Sequence, residues 1–132
     1  MKKICYDSQF YFVTDIVKKK NVSPRIRKSI KRGIKAAQDF LGIKTKPKIL
    51  FSYSDSDNFA EFLPLKGKKP IILFYPKKFY GLENMEEEII KTAVHEYLHL
   101  YFHQKNLSSI FSVELEEETV VKLEMEVWVR YF

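Results

Sequence analysis

The feature that most constrains this chain is His95-Glu96-Tyr97-Leu98-His99, set in an apolar stretch that lacks Gly and Pro. Ile89, Ile90, Ala93, Val94, Leu98 and Phe102 recur at helical spacing. Asn84 is placed to cap a helix running to about residue 103, with Glu86, Glu87 and Glu88 in the first turn, where the dipole favours anions. On such a helix two histidines four residues apart share a face, about 6 Å apart along the axis. They can converge on one zinc ion. Glu96 can then activate a water as general base and pass its proton to a leaving amine. With 3 His and 12 Glu in 132 residues, HExxH arises by chance in roughly half a percent of such chains. Incidental histidines on a core helix are therefore the weaker explanation.

Two histidines do not complete a catalytic zinc site, which takes three protein ligands and a water. His103 is the one histidine left, and it lies eight residues beyond His95. That is about 12 Å along a continuous helix, too far for the same ion. His103 is expected in the last helical turn, near free carbonyls. The third ligand should thus be a carboxylate from Glu114, Glu116, Glu117 or Glu118, at the start of a predicted helix over 113–131. Counted at 100° per residue from Val113, Val120, Val121, Val127, Trp128, Tyr131 and Phe132 span about 320° to 100°. Glu117 at about 40° and Glu124 at about 20° lie inside that face, while Glu116 and Glu118 lie on its flanks. A buried carboxylate is costly unless paired or bound to metal. Phase therefore selects Glu117 as ligand and Glu124 as acceptor for a ligand imidazole N–H. Glu114 and Glu116 read as a solvated helix start.

Composition sets the frame. The chain has 132 residues, 45% hydrophobic and 30% charged, which suits one core rather than a disordered tail. Cys5 is the single cysteine, so an internal disulfide or a cysteine zinc cluster is excluded and a reducing, cytoplasmic setting is expected. No apolar run reaches about 18 residues, and residues 1–7 lack a signal-peptide core, so no membrane segment is expected. The net charge of +6 hides a gradient: +11 over residues 1–50, +2 over 51–82 and −7 over 83–132. The basic third reads first as a solvated face. Its second reading is a sequence-independent nucleic-acid contact.

Other elements follow from local signals. Phe10, Val13 and Val17 suggest a helix over 8–19, although the run is also rich in β-formers. Ser23-Pro24 opens a helix over 24–41, with Ile26, Ile30, Ile34, Ala37 and Leu41 on one face and Gly42 at its end. Strands are predicted over 47–54 and 71–75. Residues 55–69 read as loop, with a helical turn near 58–62. One domain over 1–132 is expected: a basic helical part (1–46), a strand part (47–82) and metal-site helices (83–132).

HExxH followed by a glutamate on a later helix resembles the zincin metallopeptidases, and a glutamate ligand resembles their gluzincin branch. In that pattern about 18 residues separate HExxH from the glutamate. Here 17 residues lie between His99 and Glu117 and 18 between His99 and Glu118. Spacing slightly favours Glu118, phase favours Glu117, and phase is weighted more. The size is similar to that of the minigluzincins, the ImmA/IrrE-type peptidases and the SprT-like proteins. Many gluzincins carry an Asp four residues after the ligand, where this chain has Val121 or Lys122. The likeness covers about residues 70–130.

It implies an α+β fold, with a small twisted sheet packed on the HExxH helix and the following glutamate helix. It also implies zinc-dependent hydrolysis of peptide or protein substrates: His95, His99 and Glu117 as ligands, Glu96 as base. Ile71 to Tyr75 fits the strand that rims the cleft and pairs with substrate. Tyr75, Tyr80 and Tyr131 are candidate oxyanion donors, or core aromatics. The alternative function is a non-catalytic, zinc-held regulatory or DNA-associated protein.

Overall fold

A computed structural model describes residues 2–6, 9–13, 15–64 and 69–132. The chain opens with a hairpin of β1 (Lys2–Tyr6) and β2 (Gln9–Val13), paired antiparallel with Lys2 opposite Val13. The helix expected over 8–19 is therefore corrected. Three apolar positions at helical spacing are few, and a run of aromatic and β-branched residues pairs as strand when a partner strand precedes it. Among the described residues of 1–46, helical character is confined to α1 (Pro24–Leu41) and a short 3₁₀ turn at Lys19–Asn21.

A second sheet has the order β3 (Ile16–Val17), β4 (Lys48–Ser52), β6 (Ile71–Phe74), β5 (Ala60–Leu63). β4 and β6 run parallel, and β5 is antiparallel to β6. β4 and β6 are the inner strands, and all four residues of β6 are buried. Ile72 and Phe74 join the core under the helices, while Ile71 and Leu73 pack with Leu63, Leu50 and Tyr75 on the other face. This corrects the expected rim strand. Ile71–Phe74 is flanked on both sides, and the two margins of the sheet are β3 and β5, the latter in the segment expected to be loop.

α1 starts as its sequence predicts: Ser23 accepts from the Arg25 backbone N–H at 3.2 Å, and Pro24 occupies the first turn. It ends at Gly42, whose φ of 70° is left-handed and whose N–H donates to the Gln38 carbonyl at 2.8 Å. Gly33 faces α2 (Met85–Gln104), where a Cβ would lie 2.6 Å from the Ile90 carbonyl oxygen. The glycine thus sets how closely the two helices approach. The outer face of α1 carries Arg25, Lys28, Lys31, Arg32 and Lys35, all exposed. Of these, Arg25 pairs with Glu86 and Lys35 with Asp39.

α2 is enclosed on most sides, with Ile89, Ile90, Ala93, Val94, Tyr97, Leu98, Leu100 and Phe102 buried. The open arc, about 100° wide at 100° per residue, holds Glu88, Thr92, His95, Glu96, His99 and His103. After α2 the chain turns at Asn106, in left-handed backbone at φ 59°, and passes a 3₁₀ turn at Leu107–Ser109. Phe111 packs edge-on against Phe102, with ring centroids 5.4 Å apart. Ser112 caps α3 (Val113–Tyr131) by accepting from the Leu115 backbone N–H at 3.1 Å. α3 runs back along α2, so Glu116 meets His99 and Glu124 meets His95. No helix among the described residues is long and apolar enough to cross a membrane.

Candidate metal centre

The open arc of α2 forms one wall of a cleft of about 590 Å³. Ala60, Glu61 and Phe62 of β5 form the facing wall, and Phe111, Val113, Glu116 and Glu117 close one end. The groove continues past His95 and Glu96 into a smaller cavity bounded by Glu88, Thr92 and Glu124.

His95 and His99 present their rings at 5.0 Å between centroids. Their Nε2 atoms meet the two oxygens of one carboxylate: His95 Nε2 to Glu117 Oε1 at 2.9 Å, and His99 Nε2 to Glu117 Oε2 at 2.9 Å. The three ligand atoms of His95, His99 and Glu117 lie within 4.8 Å of one another. Each Nδ1 has its own carboxylate, Glu124 at 2.8 Å for His95 and Glu116 at 2.7 Å for His99.

This donor set fits a cation. An ionised carboxylate only accepts, so each Nδ1 must carry the proton it donates to Glu124 or Glu116. Neutral rings in that tautomer point Nε2 lone pairs at Glu117, lone pair against lone pair. Positive charge is needed between them, either as protons on both Nε2 atoms or as a metal ion. Two imidazoles and one carboxylate, with the outer nitrogens held by carboxylates, is a donor set suited to zinc.

The electrostatics agree in direction. Burial works against a charged His95, but the hydrogen bond it donates to Glu124 and the charges of Glu96, Glu117 and Glu124 outweigh it and raise its pKa. Burial pushes the Glu96 carboxyl up to about 7; the two histidines oppose this, and Glu117 and Glu61 add to it.

The four residues singled out from sequence all come to the cleft, and Glu124 bonds a histidine as its phase predicts. Two details differ. Glu117 is not inside the apolar face of α3; its side chain is 51% exposed. Glu116 is not a solvated helix start; its side chain is 14% exposed and bonded to His99. The buried face of α3 runs through Val120 and Val127, with Leu123 and Trp128 partly covered, while Val121, Tyr131 and Phe132 are exposed. It is rotated toward Glu116 relative to the predicted face. Counting Leu123 as core would have revealed this. Glu118 is exposed and outside the cluster.

His103 lines the cleft but stands apart from the cluster, its ring 5.8 Å from that of Phe62. None of the three tyrosines considered lines the cleft. Tyr75 donates to Glu61 Oε2 at 3.1 Å, and burial together with the Glu61 charge and bond holds its pKa at about 12. Tyr80 lies against the Tyr53 hydroxyl, and Tyr131 is the last residue of α3.

No family model matches the chain, and no curated protein or solved structure matches it. The site itself gives the likeness: a His95, His99 and Glu117 cluster carried on two successive helices, as in a zincin-like centre built from HExxH and a downstream glutamate.

Proposed function

We propose that this protein is a zinc-dependent peptidase that hydrolyses peptide bonds, with His95, His99 and Glu117 as metal ligands and Glu96 as general base. The observation that carries the reading is the convergence of both Nε2 atoms on Glu117 in a cleft that Glu96 also lines. Zinc bound there would polarise a peptide carbonyl and acidify a water. Glu96 takes a proton from the attacking water and returns it to the leaving amine. Its raised pKa, about 7 without metal, suits both directions of transfer near neutral pH. Glu124 and Glu116 hold the imidazoles in one tautomer and orientation. β5 pairs with β6 on one side and lines the cleft with Ala60, Glu61 and Phe62. An extended peptide can add to that margin through main-chain hydrogen bonds. A reducing, cytoplasmic setting fits the single cysteine.

The test is digestion of a mixed-sequence peptide library by the zinc-loaded protein, read by mass spectrometry. New termini should appear with zinc and vanish with chelator. A protein that holds one zinc and yields no new termini would favour the non-catalytic alternative.

A further inference from the structure

Beyond Glu118, the outer face of α3 is apolar where a solvent-facing helix surface should be polar. Val121 is 43% exposed, Met125 63%, Val129 81% and Phe132 39%. Counted from Val113 at 100° per residue, these four fall between about 80° and 160°, one stripe along the last three turns. The opposite side of α3 is already used, with Val120 and Val127 fully buried against the rest of the chain. A contiguous exposed apolar stripe of this kind marks an interaction surface.

We infer that this stripe is a self-association surface, on which the α3 helices of two copies of this chain pack antiparallel about a two-fold axis. Charge singles out a second copy as the occupant. Lys122 and Glu126, both exposed, line one margin of the stripe and lie equally far from residue 124. In an antiparallel pair the same margins of the two helices face each other. With the axis beside residue 124, Lys122 faces the partner's Glu126, and Glu126 faces the partner's Lys122. The same register seats Val121 between the partner's Met125 and the partner's Val129. Val121, Met125 and Val129 thereby meet their own counterparts and the charges pair, as a two-fold interface requires, while Phe132 lies beyond the overlap.

Sedimentation velocity of the full chain tests it, from about 1 to 100 μM, where a modest interface is resolved. The expected species is a dimer of about 31 kDa, twice the 15.7 kDa chain. Met125→Glu should raise the dissociation constant at least about tenfold, with circular dichroism unchanged because the side chain is exposed. Lys122→Glu and Glu126→Lys should each weaken the dimer about two- to fivefold, and the double exchange should restore it. A monomer throughout, a dimer indifferent to Met125→Glu, or a double exchange that stays weak would each overturn the inference.

Discussion

Glu124 lies seven residues beyond Glu117 on α3, and its Oε1 sits 2.8 Å from His95 Nδ1 while Glu117 takes the same ring's Nε2 at 2.9 Å. One helix thus grips both nitrogens of one imidazole. Glu116 completes the pattern on His99. Replacing either outer carboxylate by glutamine removes the charge that fixes the ring. Glu124→Gln and Glu116→Gln should each lower zinc affinity about 10- to 100-fold. Competition with a chelator of known affinity measures this. An unchanged affinity in both would mean that the histidines are oriented by packing alone.

Glu117→Ala should remove the third ligand and reduce zinc affinity further than either outer variant, while Glu118→Ala should bind like the parent. Glu118 is exposed and lies outside the ligand cluster. Metal content after dialysis against limiting zinc distinguishes the two. Retention by Glu117→Ala with loss in Glu118→Ala would move the ligand by one position.

The metal-free protein should lose stability as pH rises. The Glu96 carboxyl titrates near 7 when folded, against 4.5 as its ordinary value, so between those pH values the folded form keeps a proton that the unfolded form has lost. Stability therefore falls across about pH 4.5 to 7. His95 adds a loss of the same sign: its folded pKa is raised above 6.5, so its contribution is present below 6.5 and disappears as pH rises through the folded value. Urea titrations from pH 4.5 to 8 should show this slope, and Glu96→Gln should flatten its lower part. Zinc affinity should run the other way, since binding displaces protons from the ligands. A metal-free protein that grows more stable from pH 5 to 7 would contradict the assignment.

Gly33→Ala should destabilise the fold by about 1–3 kcal/mol. The added Cβ would meet the Ile90 carbonyl oxygen at 2.6 Å and the Ala93 Cβ at 2.8 Å, and helix backbone cannot yield as a flexible side chain can. The urea midpoint at fixed pH checks it. A gain in stability, as helix propensity alone would give, would mean that α1 and α2 separate at little cost.

The parts of this fold that were legible in sequence are those whose signals are local. Ser23-Pro24 and Gly42 bound α1 because capping chemistry lies within a few residues of itself. His95 and His99 share a face because helix geometry demands it. What was missed depends on distant partners. Ala60–Leu63 is too short to declare itself, and it is a strand because β6 lies beside it. Gln9–Val13 is a strand because Lys2–Tyr6 pairs with it. The phase of α3 is likewise set at a distance: Val120, Leu123 and Val127 pack into the core, whereas Val121 and Phe132, apolar by residue type, stay exposed at 43% and 39%. Glu117 lies near the edge of both the predicted and the observed face, so phase points to it either way, whereas Glu116 comes to His99 only on the observed face.

The most direct measurement is paired on one variant, Glu96→Gln: zinc stoichiometry and peptide cleavage on the same sample. Glu96 lines the cleft but is not among the converging ligand atoms. The expected result is one zinc per chain, as in the parent, with cleavage reduced at least about 100-fold. Cleavage at the parental rate with zinc retained would contradict the assignment of Glu96 as the base.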